Sequence, residues 1–318
     1  MLDSVDLLIV QLLQEDGRAS WTEIAKRAGV TVSTAYRRAT ALLESGSILV
    51  TVLPATDLYP ETARMYEVRV RCRPGTQRAV AHRLAGRSDT RWVAIVTGEY
   101  DVAAEVVVPQ GEDVAAVLLD DIQNDPDVVA TQTDMVLRSR AVARDWSRGG
   151  ARDGHECDPS HLDSVDRTIL AALRDDGRRS YADAASALGM SESTVRRRCA
   201  DVFRRGCAGV VTLVQPHLLG YQQEVLIRLD LLPQHVEGAV RTLEGQEGVH
   251  YFATTLGATS LVCELIMKTH DDLHAFIRDV VTPLPGLTRL TADVELIVFK
   301  RGFVVCPWAS ADPARPSR

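Results

Sequence analysis

A chain of 318 residues with 46% hydrophobic and 25% charged positions has the composition of a core-forming globular protein, and its length suits two or more domains. A net charge of −7 excludes a protein that coats nucleic acid by bulk attraction, but not one with a local basic surface. No apolar run reaches the roughly eighteen residues of a membrane span, and the N-terminus lacks the basic and apolar regions of a signal peptide, so a cytoplasmic location without a membrane partner is expected.

In residues 2–14, Leu2, Val5, Ile9, Leu12 and Leu13 fall at helical spacing. Asp3 or Ser4 can cap the start, and Asp16-Gly17 stops the helix. Ser20 caps a second helix, Trp21–Ala28, with Glu23 three residues on as in a capping box, and Gly29 ends it. Thr31 caps a third helix that runs to about residue 45 and stops at Gly46. The β-rich run 48–54 follows as a wing or connecting strand. A segment of another kind comes next: strand 65–73, helix 75–86, strands 91–96 and 101–108 around the turn Gly98-Glu99-Tyr100, helix 113–122 and strand 128–137. That order is the split βαβ, ferredoxin-like βαββαβ unit.

Residues 145–160 are polar and glycine-rich and read as a flexible linker. Then the chain repeats itself. Leu2-Asp3-Ser4-Val5-Asp6 returns as Leu162-Asp163-Ser164-Val165-Asp166, and the register holds without a gap to residue 210, with 19 of 49 positions identical. So long a period is a whole protomer rather than a solenoid unit. Helices are expected at 162–173, 181–188 and from the cap Ser191 to about residue 205, with a strand at 209–214. A second βαββαβ pattern follows: strand 224–232, helix 235–244, strands 250–255 and 260–268, helix 271–281 and strand 288–299. The expected class is α+β, with two winged helix-turn-helix domains (1–53 and 161–215) alternating with two βαββαβ domains (62–142 and 222–304), which the family resemblance given below implies are effector and dimerisation domains. A linker spans 143–160, and 305–318 form a tail.

Three short helices with a glycine turn before the third suggest a helix-turn-helix, whose third helix must present short polar and cationic groups near its N-terminus to enter the major groove. Thr31, Ser33, Thr34, Tyr36, Arg37 and Arg38 do so in the first copy, and Ser191, Ser193, Thr194, Arg196, Arg197 and Arg198 in the second. Trp21 and Tyr181, which open the two second helices, read as packing residues rather than base readers. The motifs Leu-Asp-x-x-Asp, Asp-Gly-Arg-x-Ser, Ala25/Gly29, Ser33-Thr34, Arg37-Arg38 and Gly46-Ser47-Ile48 resemble the DNA-binding domain of the Lrp/AsnC (feast/famine) transcription regulators. The second copy repeats most of them, but carries Cys207-Ala208-Gly209 for Ser47-Ile48-Leu49 and Ala184 for Ile24.

The resemblance implies double-stranded DNA as a partner, self-association through the βαββαβ domains, and a small-molecule effector, an amino acid or related metabolite. It also places an effector hairpin at Gly98, Tyr100 and Asp101, where Asp101 would hold a ligand ammonium unless it merely caps the turn. The counterpart, at Gly257, Thr259 and Ser260, has lost the acid and the aromatic, so the first hairpin is expected to dominate.

The remaining chemistry is sparse. Six cysteines are spread singly and are expected as reduced, structural thiols; eight histidines show no metal-ligand grouping. No Walker loop, dinucleotide fingerprint or nucleophile elbow occurs, so no catalytic residue, metal or cofactor is assigned. Siroheme decarboxylases share the two-domain plan and provide an enzymatic alternative. Against it, residues 47–59 hold neither histidine nor arginine, the second copy offers only His217 there, and both third helices keep Ser-Thr and Arg-Arg. An effector-independent architectural DNA-binding protein is the third reading.

Overall fold

The computed structural model describes residues 2–54, 63–141, 157 and 161–310, which fall into two compact units. The linker expected at 143–160 lies outside the described residues except for Cys157.

The first unit contains both trihelical copies. Helices α1 (Ser4–Glu15), α2 (Trp21–Ala28) and α3 (Val32–Glu44) lead to strand β1 (Ile48–Pro54). In the second copy, α5 (Ser164–Ala172), α6 (Tyr181–Leu188) and α7 (Glu192–Arg204) lead to β6 (Ala208–Val214). Side-chain caps start the helices at Asp3, Ser20, Thr31, Asp163, Ser180 and Ser191, each accepting from a backbone N–H of the first turn. Gly29 and Gly189 end α2 and α6 with φ of 68° and 65°, the left-handed conformation that makes the turn sharp enough to launch the next helix. Strands β1 and β6 pair antiparallel from Ile48↔Val214 to Pro54↔Ala208, so the wings of the two copies form one ribbon.

The second unit contains both βαββαβ segments. The first comprises β2 (Ala63–Cys72), α4 (Gln77–Gly86), β3 (Thr90–Val96), β4 (Val102–Pro109), a helix at Ala116–Gln123 and β5 (Val128–Ala141). The second comprises β7 (Gln223–Leu231), α8 (Val236–Glu244), β8 (Val249–Leu256), β9 (Leu261–Met267), α9 (His270–Phe276) continued by Ile277–Val281, and β10 (Leu287–Arg301). The helical stretches at 116–123 and 277–281 are wound with π-type bonds, such as Asn124 N–H to Leu119 O and Thr282 N–H to Ile277 O. The strands run in the order β10-β3-β4-β2-β5-β8-β9-β7, and β7 pairs back to β10. The sheet therefore closes into an eight-stranded barrel whose seams, β5–β8 and β3–β10, join the two halves of one chain.

Period-two alternation divides each strand. Val68, Val70, Val102, Ala104 and Val106 pack outward under α4 with Val80 and Leu84, and Val225, Ile227 and Leu229 do the same under α8 with Ala239 and Leu243. The opposite face lines the barrel and is heavily charged.

The segment expected as a tail is structured as far as residue 310. A short β11 (Val304–Val305) returns along β10, Cys306 N–H donates to Phe299 O at 2.8 Å, and Cys306 and Ala309 are buried in the first half's core. A second difference concerns the cysteines. Cys157 and Cys207 form a disulfide, while Cys72, Cys199, Cys263 and Cys306 are free and buried, so not all six are reduced as the spacing suggested. The pair escaped the sequence because its members are fifty residues apart and meet only once the second trihelical domain has folded.

Candidate DNA-reading helices and effector site

The two third helices present the same face. In α3, Thr31, Val32, Ser33, Tyr36 and Arg37 are exposed, Thr34 and Arg38 half-buried, and Ala35 and Ala39 buried. In α7, Ser191, Glu192, Ser193, Arg196 and Arg197 are exposed, Thr194 and Arg198 half-buried, and Val195 and Cys199 buried. Each helix thus opens on a capped turn of free N–H groups with short hydroxyls and a cation around it, which suits a phosphate-lined groove.

The expected residues separate by role. Arg38 donates to Asp3 at 2.6 Å and Asp6 at 2.8 Å, and Arg198 bonds both Asp163 and Asp166 at 2.8 Å. These guanidiniums tie the third helix to the start of the first. Each holds its cap aspartate below the usual carboxylate range, although the largest cause there is the cap's own backbone hydrogen bond. Thr31 and Ser191 are spent as caps, and Thr34 and Thr194 bond them through their hydroxyls at 2.9 and 2.8 Å. Tyr36 packs edge-on against Trp21, with ring centres 5.7 Å apart. At the equivalent position Arg196 pairs with Glu192 at 2.5 Å and lies 5.1 Å from the Tyr181 ring. Arg37 and Arg197 are exposed cations at equivalent positions of the two faces.

A second feature was hidden in the repeated Asp-Gly-Arg. Arg18 reaches into the other copy and donates to Gly177 O at 2.6 Å and Arg179 O at 2.8 Å; Arg178 donates to Gly17 O at 2.6 Å and Ala19 O at 2.9 Å. Their guanidiniums lie over the aromatic that opens the partner copy's second helix, Arg18 at 4.3 Å from Tyr181 and Arg178 at 4.0 Å from Trp21. Trp21 and Tyr181 are therefore packing residues that seat this exchange. The glycines are needed for close approach: a Cβ on Gly177 would stand 2.9 Å from the Thr51 backbone, and one on Gly17 would stand 2.8 Å from Val210 Cγ1. The motif is repeated because each copy supplies half of a reciprocal clamp.

In the barrel, both hairpins singled out by the sequence lie on the seams. Gly98 faces Asp293 of β10, and Gly257 faces Asp134 of β5, each too closely for a side chain. Asp134 and Asp293 hold equivalent ladder positions, opposite Glu67 and Leu226. Asp101 does not face the seam. Its carboxylate accepts from Cys72 N–H at 2.7 Å and Gln77 Nε2 at 3.4 Å, fixing the end of β2 to the start of α4, so it anchors the turn. Tyr100 donates to Gln132 at 2.8 Å, with the Arg69 and Arg71 guanidiniums 5.5 and 5.4 Å from its ring. Ser260 closes onto Leu231, accepting from its N–H at 3.2 Å.

The two seam carboxylates are unequally satisfied. Asp134 accepts from Arg69 at 2.6 Å, Ala258 N–H at 2.8 Å and Thr259 Oγ1 at 3.2 Å, so the second hairpin itself fills that acid. Among the described residues Asp293 is bonded by Arg228 alone, and Arg228 is shared with Glu67 at 2.6 Å. Burial pushes the Asp293 carboxyl up despite that guanidinium. Strands β2 and β7 are not neighbours, so the Arg228–Glu67 bond crosses the barrel interior. Further along, Glu224, Glu264 and Glu295 crowd around Arg301, which bonds Glu264 at 2.6 Å and lies 3.6 and 3.8 Å from the other two. Burial is the main force lifting Glu224, to about 7, and Glu295, well above the carboxylate range. In the first half Met65 and Val136 occupy the positions of Glu224 and Glu295.

These features define a helix-turn-helix protein in which two reading heads and two βαββαβ domains come from one duplicated plan. Residues 2–43 and 162–201 match the AsnC-type helix-turn-helix domain and residues 67–144 the Lrp/AsnC ligand binding domain; the chain belongs to the Lrp/AsnC family. An uncharacterized HTH-type transcriptional regulator of Pyrococcus furiosus is 29% identical over 143 residues, 45% of this chain and 97% of that protein. An HTH-type transcriptional regulator of Methanocaldococcus jannaschii is 28% identical over 142 residues, 44% and 96% of the two chains. Each thus matches about one copy of the duplicated plan. Among solved structures, the siroheme decarboxylase NirDL aligns over 93% of this chain and 92% of its own, with a TM-score of 0.60 at 12% identity, which shows a shared tandem fold. No described helix is long and apolar enough to cross a membrane.

Proposed function

We propose that the chain is a sequence-specific DNA-binding transcription regulator that senses an amino acid or related small metabolite, and not an enzyme. The observation that carries this reading is the repeated face of α3 and α7: capped helices exposing hydroxyls, Arg37 and Arg197 at equivalent positions, in one unit clamped by Arg18 and Arg178. Effector binding is assigned to the barrel seam at Gly98 and Asp293, where the carboxylate has acceptor capacity to spare; the Gly257 seam is already filled by Thr259 and Ala258. Further self-association through the barrels is part of the same proposal.

The test is binding of the purified chain to duplex fragments from its own promoter region at modest ionic strength, with a thermal-shift screen of the twenty amino acids alongside. Saturable, sequence-dependent binding that one metabolite strengthens or weakens is expected. Absence of binding with and without metabolites, together with tetrapyrrole uptake seen as a haem-type absorbance, would replace this reading with the decarboxylase one, whose fold the chain shares.

A further inference from the structure

The strongest chemistry outside the reading heads and the barrel lies beside the second wing. We propose that Cys157, His161 and Cys207 form a site for a zinc-like divalent metal ion when the two thiols are reduced, and that the disulfide is the metal-free, oxidised state of the same site. The two sulfurs and an imidazole nitrogen all lie within 4.8 Å of one another, the cysteines buried and the histidine exposed. Tetrahedral zinc holds sulfur at about 2.3 Å and imidazole nitrogen at about 2.0–2.1 Å, which sets its ligand atoms roughly 3.4–3.9 Å apart. The three side chains already converge on a space of that size, and side-chain rotation of the sulfurs from bonding distance to about 3.8 Å completes it.

The duplication shows that the thiol of Cys207 is not required by the turn it occupies. At the equivalent turn of the first copy Ser47 N–H donates to Leu42 O at 3.0 Å, and Cys207 N–H makes the same bond to Val202 O at 3.1 Å. A serine therefore meets the backbone need, and the thiol is an addition peculiar to the second copy. Cys157 and His161, with three residues between them, come from the stretch before α5, and Cys207 from the start of β6. Two ligands a few residues apart in sequence and a third on a neighbouring element is the ordinary construction of a thiolate–imidazole site. Three protein ligands leave a fourth position for water on the exposed histidine side.

The two states exchange by a balanced step. Hydrogen peroxide takes two electrons from the Cys157 and Cys207 thiolates; the S–S bond forms, the O–O bond breaks, and two protons complete two waters. The ion loses two of its three protein ligands and leaves. A phosphine reverses the change, taking the oxygen of one water as phosphine oxide while the two thiols receive the protons.

The full chain, reduced with a phosphine and freed of it without air, is titrated with cobalt(II). Binding of one equivalent is expected, with a thiolate-to-cobalt charge-transfer band and tetrahedral d–d bands that one equivalent of zinc bleaches. Peroxide-treated chain should give no band and a Cys157–Cys207 cross-link by mass spectrometry. Cys157→Ser should abolish the charge-transfer signal, and His161→Ala, at an exposed position, should weaken cobalt binding about tenfold or more. Where Cys207→Ser fails to fold, those two variants decide. A reduced chain without the band, a band that survives Cys157→Ser, or unchanged affinity in His161→Ala overturns the proposal.

Discussion

At the scale of single residues, adjacent arginines in the reading helices do different work. Arg38 is committed to Asp3 and Asp6, whereas Arg37 is exposed. Arg37→Ala should leave the melting temperature unchanged and weaken DNA binding by roughly fivefold to a hundredfold, the size of a lost contact of about 1–3 kcal/mol. An equal loss on every duplex identifies a phosphate contact, and relaxed preference at one base pair identifies readout. Arg38→Ala should instead lower the melting temperature of the reading unit, with DNA affinity falling as a consequence. Fluorescence anisotropy and thermal denaturation on the same preparations separate the two; a melting temperature unmoved by Arg38→Ala would remove its bracing role. The sequence places both in one Arg-Arg dipeptide, and only the distance from α3 back to α1 tells them apart.

At the scale of elements, most boundaries were legible because caps and stops are local. Ser20, Thr31, Ser180 and Ser191 name their helices, and Gly29 and Gly189 end two of them, without help from the rest of the chain. What was not legible depended on pairing between copies. The Asp-Gly-Arg turns could be recognised as repeated, but not as clamps, since each arginine bonds carbonyls about 160 residues away. For the same reason Asp101, adjacent to the turn, stands out in the sequence as a ligand for ammonium, while Asp134 and Asp293, which meet the hairpins across the seams, are indistinguishable there from other positions of β-rich runs. The clamp can be tested through its glycines. Gly177→Ala drives a methyl group against the Thr51 backbone, which cannot yield, and should destabilise the reading unit by about 1–3 kcal/mol. Gly17→Ala meets mainly the Val210 and Val50 side chains, which can shift, and should cost less. Chemical denaturation of the full-length variants checks the order, and equal losses would show that the backbone approach is not limiting.

At the scale of the whole molecule, the duplicated halves have diverged in charge, and this has consequences for stability and for recognition. Glu224 and Glu295 stand where the first half has Met65 and Val136, beside Glu264 and a single Arg301. Burial keeps both carboxyls protonated in the folded barrel at pH values where the unfolded chain, with a carboxyl near 4.5, has released its protons. The folded state binds more protons in that window, so the stability is fully present below about 4.5. It is lost as pH rises toward about 7 for Glu224 and beyond that for Glu295. From Glu224 alone the loss should be on the order of 2–3 kcal/mol between pH 5 and 8, and Glu295 adds to it in the same direction. Glu295→Gln should flatten that slope and raise the melting temperature at pH 8; a slope unchanged in Glu295→Gln and Glu224→Gln would place its origin elsewhere.

The reading heads have diverged too, and here the fusion matters most. A homodimer must present two identical helices and therefore favours a palindrome. This chain fixes one head of each kind, with Val32 and Tyr36 in the first against Glu192 and Arg196 in the second, in a unit joined by the β1–β6 ribbon and the Arg18 and Arg178 clamp. A carboxylate can accept from cytosine N4 and a guanidinium can fork onto guanine, each discriminating by about 1–3 kcal/mol, whereas Val32 and Tyr36 offer apolar contact. Arg196 already holds Glu192 along the helix, so reading by either requires that pair to open or to engage the base together. Selection from random duplexes should therefore return two unlike half-sites. Glu192→Val with Arg196→Tyr should drive the preference toward a symmetric site, and recovery of a perfect palindrome by the unaltered chain would sink the assignment. Because the heads share one chain, engaging two half-sites should need no dimerisation step as protein is diluted, whatever further association the barrels make.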